Sequence, residues 1–176
     1  MNTTPSGPAR TADLAYDSFY SAAIGGSVVA LFFLALDSLR GDPLFTPSLL
    51  GSVIVGGMDA QSVSTVRLDM VAYYSILHFG VFGLLGFGLA LLLDRLDGAA
   101  RKASVSGFLC ALVIEVVGSG GLLLIAPAAV GRIGLGWVLL ANALTGAAMG
   151  LFLARAHEPG TRAVENQVPV TGGGRV

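Results

Sequence analysis

Three side chains that can move a proton or donate strong hydrogen bonds sit inside otherwise apolar stretches: His78, Glu115 and Asn142. Glu115 is the sharpest signal. It is the only charged residue in the run 104–131, SVSGFLCALVIEVVGSGGLLLIAPAAVG. A carboxylate deep in a bilayer is costly unless it is protonated, paired or turned into the protein interior. An amide can donate to it. An imidazole can donate while neutral, or form an ion pair when charged. Two chemistries follow. One is a proton-sensitive or ligand-binding cluster. The other is a hydrogen-bonded clamp across three helices, worth roughly 1 kcal/mol per contact. An oligomer interface centred on Glu115 is a third arrangement.

The elements that must carry these residues are transmembrane helices. Hydrophobic residues make up 54% of the chain and charged residues only 12%. Globular soluble domains carry about 25% charge. The mean hydropathy is +0.78, and the apolar residues fall in long blocks. A bilayer needs about 20 mainly apolar residues per helix. Residues 18–36, 71–93, 104–126 and 133–154 meet that need, which predicts an all-α bundle of four transmembrane helices. The spans between them bring in small residues that let backbones approach. Gly25 and Gly26 lie on adjacent small-residue stripes of the first span. Gly80, Gly83 and Gly86 recur at three-residue spacing in the second. Gly107 and Gly118 share a face with Glu115, and Gly146 and Gly150 line the fourth.

Depth connects the three polar residues. At about 1.5 Å per residue, His78 lies ~11 Å below the outer boundary, Glu115 ~16 Å and Asn142 ~14 Å. Glu115 and Asn142 are nearly level, with His78 slightly nearer the outside. This spacing predicts a side-chain contact from Glu115 to Asn142 or His78, directly or through one water.

Residues 1–17 read as a flexible start, and 155–176 as a disordered tail ending in TGGGRV. Arg10 is followed by Asp13 and Asp17, a poor signal-peptide n-region, so the first span is expected to stay as an anchor. The connection 38–70 holds an apolar patch, SLLGSVIVGGM, too short to span. Bracketed by Pro43 and Pro47 and stopped by Gly56 and Gly57, segment 43–57 is expected to be interfacial, re-entrant or a loop packed over the helix ends. The following DAQSVSTVRLD is polar enough to lie outside the core. The turn between spans three and four is very short, which makes them antiparallel neighbours.

Several functions fall away. The net charge of −1, without a basic block, argues against a nucleic-acid partner. The expected partners are the lipid bilayer and a homo-oligomer or larger membrane complex. Cys110 is alone, so no intrachain disulfide forms. A bis-histidine haem lacks its second membrane histidine, because His157 lies outside the spans. A zinc site needs about three or four ligands, and His78 with Glu115 supplies two. Neither a Walker loop nor HExxH is present, so no cofactor or metal is implied. Basic residues gather beside the turn 94–103 (Arg95, Arg101 and Lys102), which puts both termini in the cytoplasm. A structural or accessory role in a membrane assembly leads. A transporter would need a polar route from Glu115 to both faces. An enzyme would need an outward cavity over His78 and Glu115, closed by 43–57.

GDPLFTPSLLGS at 41–52, YYSILHFGVFGLLG at 73–86 and LLANALTGAAMGLFL at 139–153 carry a resemblance. Together they resemble a group of uncharacterised bacterial four-span integral membrane proteins, over about residues 18–154. Pro43, Pro47, Gly51, His78, Phe79, Glu115, Ala141, Asn142, Met149 and Gly150 match that group's pattern. The AHEPG after the last span departs from it, where a more basic end is usual. The resemblance implies a bacterial inner-membrane protein and supplies no activity.

Overall fold

The computed structural model describes residues 8–95 and 103–156, and among these no strand occurs. The helices are α1 (Pro8–Leu39), α2 (Phe45–Ile54), α3 (Leu68–Asp94), α4 (Ala103–Ile114), α5 (Gly120–Ile125), α6 (Pro127–Ile133) and α7 (Leu135–Ala156). A π turn over Glu115–Ser119 joins α4 to α5, and a 3₁₀ turn over Ala60–Ser62 precedes α3. Four stretches are long and apolar enough to cross a membrane: Leu14–Leu39, Leu68–Leu93, Val105–Ile125 and Leu135–Arg155. The expected all-α, four-span architecture is therefore the observed one.

The first helix starts earlier than the sequence reading had it. Pro8 stands at its first position, where a missing N–H costs nothing, and no breaker follows until Gly25. Residues 1–7 and the tail from 157 onward, with the disorder expected there, lie outside the described residues. The connection between spans three and four also differs in form. It is a helix, α6, with Pro127 at its first position. Gly134 then turns the chain at φ +98°, a backbone that L side chains rarely adopt. The two spans are antiparallel neighbours, as expected.

Small residues set the packing order. Along the bundle the contacts run α3 to α1, α1 to α7 and α7 to α4, while α3 and α4 meet only slightly. A Cβ at Gly146 would overlap the Ala111 backbone, and one at Gly150 would overlap that of Gly107. Those two positions bring α7 against α4 at backbone distance. Gly25 gives way to Met149 and Phe82, and Gly26 to the ring of Phe79. Gly86 faces Ser18 and Ala22 of α1. The second span departs from expectation higher up. Gly80 and Gly83 are exposed, and a Cβ at either would meet nothing within 4 Å. Among the described residues they pack against no other helix, because α1 covers the face of α3 that carries Phe79, Phe82 and Gly86.

Two apolar clusters fill the ends of the bundle. One gathers Phe82, Leu89, Ala90 and Leu93 with Cys110, Ile114, Met149 and Leu153. The other gathers Leu49 and Leu50 of α2 with Phe33, Ala129, Ile133, Val138 and Ala141. The patch too short to span thus becomes a helix laid across one end of the bundle. Ala60 and Val63 belong to the same cluster. This corrects the expectation that the polar stretch after α2 lies wholly outside the core. Its polar residues stay out, but two apolar side chains turn in.

Candidate functional site

His78, Glu115 and Asn142 fall into two separate hydrogen-bonded groups. On the third span, Ser119 Oγ donates to Glu115 Oε2 at 2.7 Å. Asn142 Nδ2 of α7 donates to Ser119 Oγ at 2.9 Å. Ser119 is therefore the link between the carboxylate and the amide. The level depths of Glu115 and Asn142 were legible from helix geometry. The expected contact, direct or through one water, is not the one observed: a serine hydroxyl stands between Glu115 and Asn142, and no direct bond joins the two among the described residues. Ser119 escaped the sequence reading, although an i, i+4 pair with Glu115 was the available signal.

The π turn places this link. Gly120 N–H bonds to the Glu115 carbonyl, five residues back. From Gly118 to Gly121 the chain reads GSGG, so no bulky side chain resists the widened turn. Such turns recur at functional sites. Here the extra residue brings both Gly118 and Ser119 to α7: a Cβ at Gly118 would lie 3.0 Å from Asn142 Nδ2. Asn142 and Ser119 are buried, and Glu115 is half-buried.

His78 belongs elsewhere. Its Nε2 lies 3.0 Å from the Gly26 carbonyl of α1, which requires that nitrogen to donate. The ring is flanked along α3 by Tyr74, with centroids 5.7 Å apart, and by Phe82 at 4.9 Å. No bond joins His78 to Glu115. His78 and Asn142 line an apolar cavity of about 380 Å³, and Glu115 is not among the residues lining it.

A third polar group holds α2, built on Asp37 just past the apolar run 18–36. Asp37 is 1% exposed. Its carboxylate accepts from Thr46 N at 2.6 Å and Thr46 Oγ1 at 2.8 Å. The N-cap residue itself, Leu44, has φ +69° and offers no side-chain cap. A left-handed leucine costs about 1–2 kcal/mol. The carboxylate at the positive end of α2 offsets that strain. Ser48 Oγ accepts from Arg67 N at 2.8 Å and so caps the entry to α3. A Cβ at Gly51 would overlap the Met70 carbonyl. Arg132 Nη1 donates to the carbonyls of Ala60 and Val63, and the guanidinium lies 5.1 Å from the Phe45 ring centroid. The exposed Arg67–Asp69 pair adds little beyond this.

No group of three or more His, Cys, Asp or Glu side chains that could hold a metal ion occurs among the described residues. The fold and its polar groups define a multi-pass helical membrane protein. No protein-family model, curated protein or solved structure matches the chain significantly.

Proposed function

We propose that this protein is a structural or accessory subunit of a membrane assembly, seated in a bacterial inner membrane with both termini in the cytoplasm. One observation carries the reading. His78 does not join the Glu115–Ser119–Asn142 group, and each of the two sites ties one pair of helices. His78 ties α3 to α1, and Asn142 with Ser119 ties α7 to the third span. A proton route would need a continuous polar path, and these two groups are separate. The open glycines of α3 support the assembly role. Gly80 and Gly83 sit between the exposed Ile76 and Leu84. That face suits a helix of another chain, since small residues favour close approach in lipid.

The test is the mass of the particle extracted in mild detergent. The wild-type chain runs as an assembly heavier than its own 17.9 kDa. Gly83→Leu, placed where nothing within this chain obstructs it, leaves the chain folded and lowers that mass. A wild-type particle of single-chain mass in native membranes and detergent alike would sink the proposal.

A second reading keeps Glu115 as a proton-responsive group of a small transporter or membrane enzyme. Its support is the π turn beneath it and the half-buried carboxylate, of which only Oε2 is hydrogen-bonded among the described residues. Glu115→Gln separates the two. A tie tolerates the amide. A proton-coupled site stays folded and loses its pH response.

A further inference from the structure

The cavity of about 380 Å³ lies between spans two and three, where the bundle fails to close. Its size is within the usual range of about 300–1,000 Å³ for small-molecule sites. Leu77, Val81, Val117 and Ile125 on its rim are exposed, so it opens sideways, in the plane where lipid would lie. Leu50 and Ile54 of α2 close it at one end. Phe82 and Ile114 close it at the other, where the apolar cluster of the opposite end begins. From Tyr74 to Leu85 its wall on α3 is about 16 Å long. A spanning helix needs about 30 Å, so no transmembrane partner fits along it.

Its chemistry narrows the occupant. No Asp, Glu, Lys or Arg lines it among the described residues, so a charged headgroup would enter unpaired. The polar groups present are neutral hydrogen-bonding ones. Tyr74 lines the cavity, and its hydroxyl has no hydrogen-bond partner among the described residues. Asn142 gives one N–H to Ser119 and keeps its other N–H and its Oδ1. Tyr74, His78 and Phe82, at four-residue spacing on one face, make an aromatic wall whose rings are tilted by 35° and 56° from one to the next. A planar ring can lie against such a wall.

We propose that this cavity binds a quinone-class lipid: an uncharged carbonyl-bearing ring on an apolar tail. A ring carbonyl accepts from the Tyr74 hydroxyl or the Asn142 amide. The ring faces the Tyr74–His78–Phe82 wall, and the tail leaves sideways between Leu77 and Val117.

The full chain in lipid nanodiscs is labelled with an azido-benzoquinone carrying a decyl tail, and the adducts are mapped by mass spectrometry. Saturable labelling within 74–85 and 114–125 is expected, competed by unlabelled decylbenzoquinone and not by dodecanol. Tyr74→Phe, which removes one hydroxyl, weakens competition about fivefold. Gly121→Phe fills the cavity from a position where a Cβ meets nothing within 4 Å, and abolishes saturable labelling. Labelling that never saturates, or that dodecanol suppresses equally, would show a cleft that accepts any alkyl chain and would overturn the proposal. So would wild-type affinity in Tyr74→Phe, which reads the head group even if Gly121→Phe misfolds.

Discussion

Ser119 shows how one hydroxyl bridges a carboxylate on one span and an amide on another. It accepts from Asn142 and donates to Glu115, so removing it orphans both partners. Ser119→Ala should cost about 1–2 kcal/mol in reversible unfolding from mixed micelles. Glu115→Gln should cost less than about 1 kcal/mol, because the amide oxygen still accepts from Ser119. The order of the two variants is the check. A larger loss for Glu115→Gln would mean that the charge, and not the hydrogen bond, matters there. Asp37 is the corresponding residue at the bundle end. Asp37→Ala leaves Thr46 N without its acceptor and Leu44 still in its left-handed backbone. We expect a loss of about 1–2 kcal/mol by the same unfolding measurement.

At the scale of elements, backbone proximity ranks the glycines. Gly146 and Gly150 stand against the backbone of α4, which has nowhere to retreat. Gly150→Val should cost about 2–3 kcal/mol, the upper part of the overpacking range. Gly83→Ala, facing open space, should change stability by less than about 0.5 kcal/mol. Equal effects at the two positions would contradict the packing order of α7 on α4. α2 makes a separate prediction. Its N–H groups are held within a helix whose residues Ser48–Ser52 are buried. Hydrogen–deuterium exchange in nanodiscs should therefore be slower over 48–55 than over 58–66, and uniform fast exchange would mean α2 opens freely. Arg132 anchors the latter stretch by its carbonyls, which leaves most of its N–H groups unprotected.

At the scale of the whole molecule, the charge distribution predicts orientation. The basic residues beside the turn 94–103 should stay in the cytoplasm, and α2 should face the other side. Single cysteines at Ser62, Ala99 and Thr171, in a Cys110→Ser background, report this. Only the one at Ser62 should react with an impermeant reagent in intact cells. Labelling at Ala99 before permeabilisation would invert the protein. With that orientation, α2 and Arg132 close the outer end, and the sideways cavity lies beneath α2.

The sequence by itself determined the four spans, because apolar length and the absence of charge are properties of a chain segment. It also determined the level of Glu115 with Asn142, since a fixed rise per residue converts position into depth. It marked Gly146 and Gly150 as a close face, and the patch at 45–54 as unable to span. Tertiary structure decided the rest. Which helices are neighbours is not written in any one helix, so the separation of His78 from Glu115 emerged only with the order α3, α1, α7, α4. The same order left Gly80 and Gly83 uncovered while Gly86 packs on α1. The π turn depends on a register shift that ordinary helical spacing hides, and with it came the role of Ser119. In the sequence Asp37 simply ends the first apolar run. It is buried because α2 folds back and presents its unpaired N–H groups to that carboxylate.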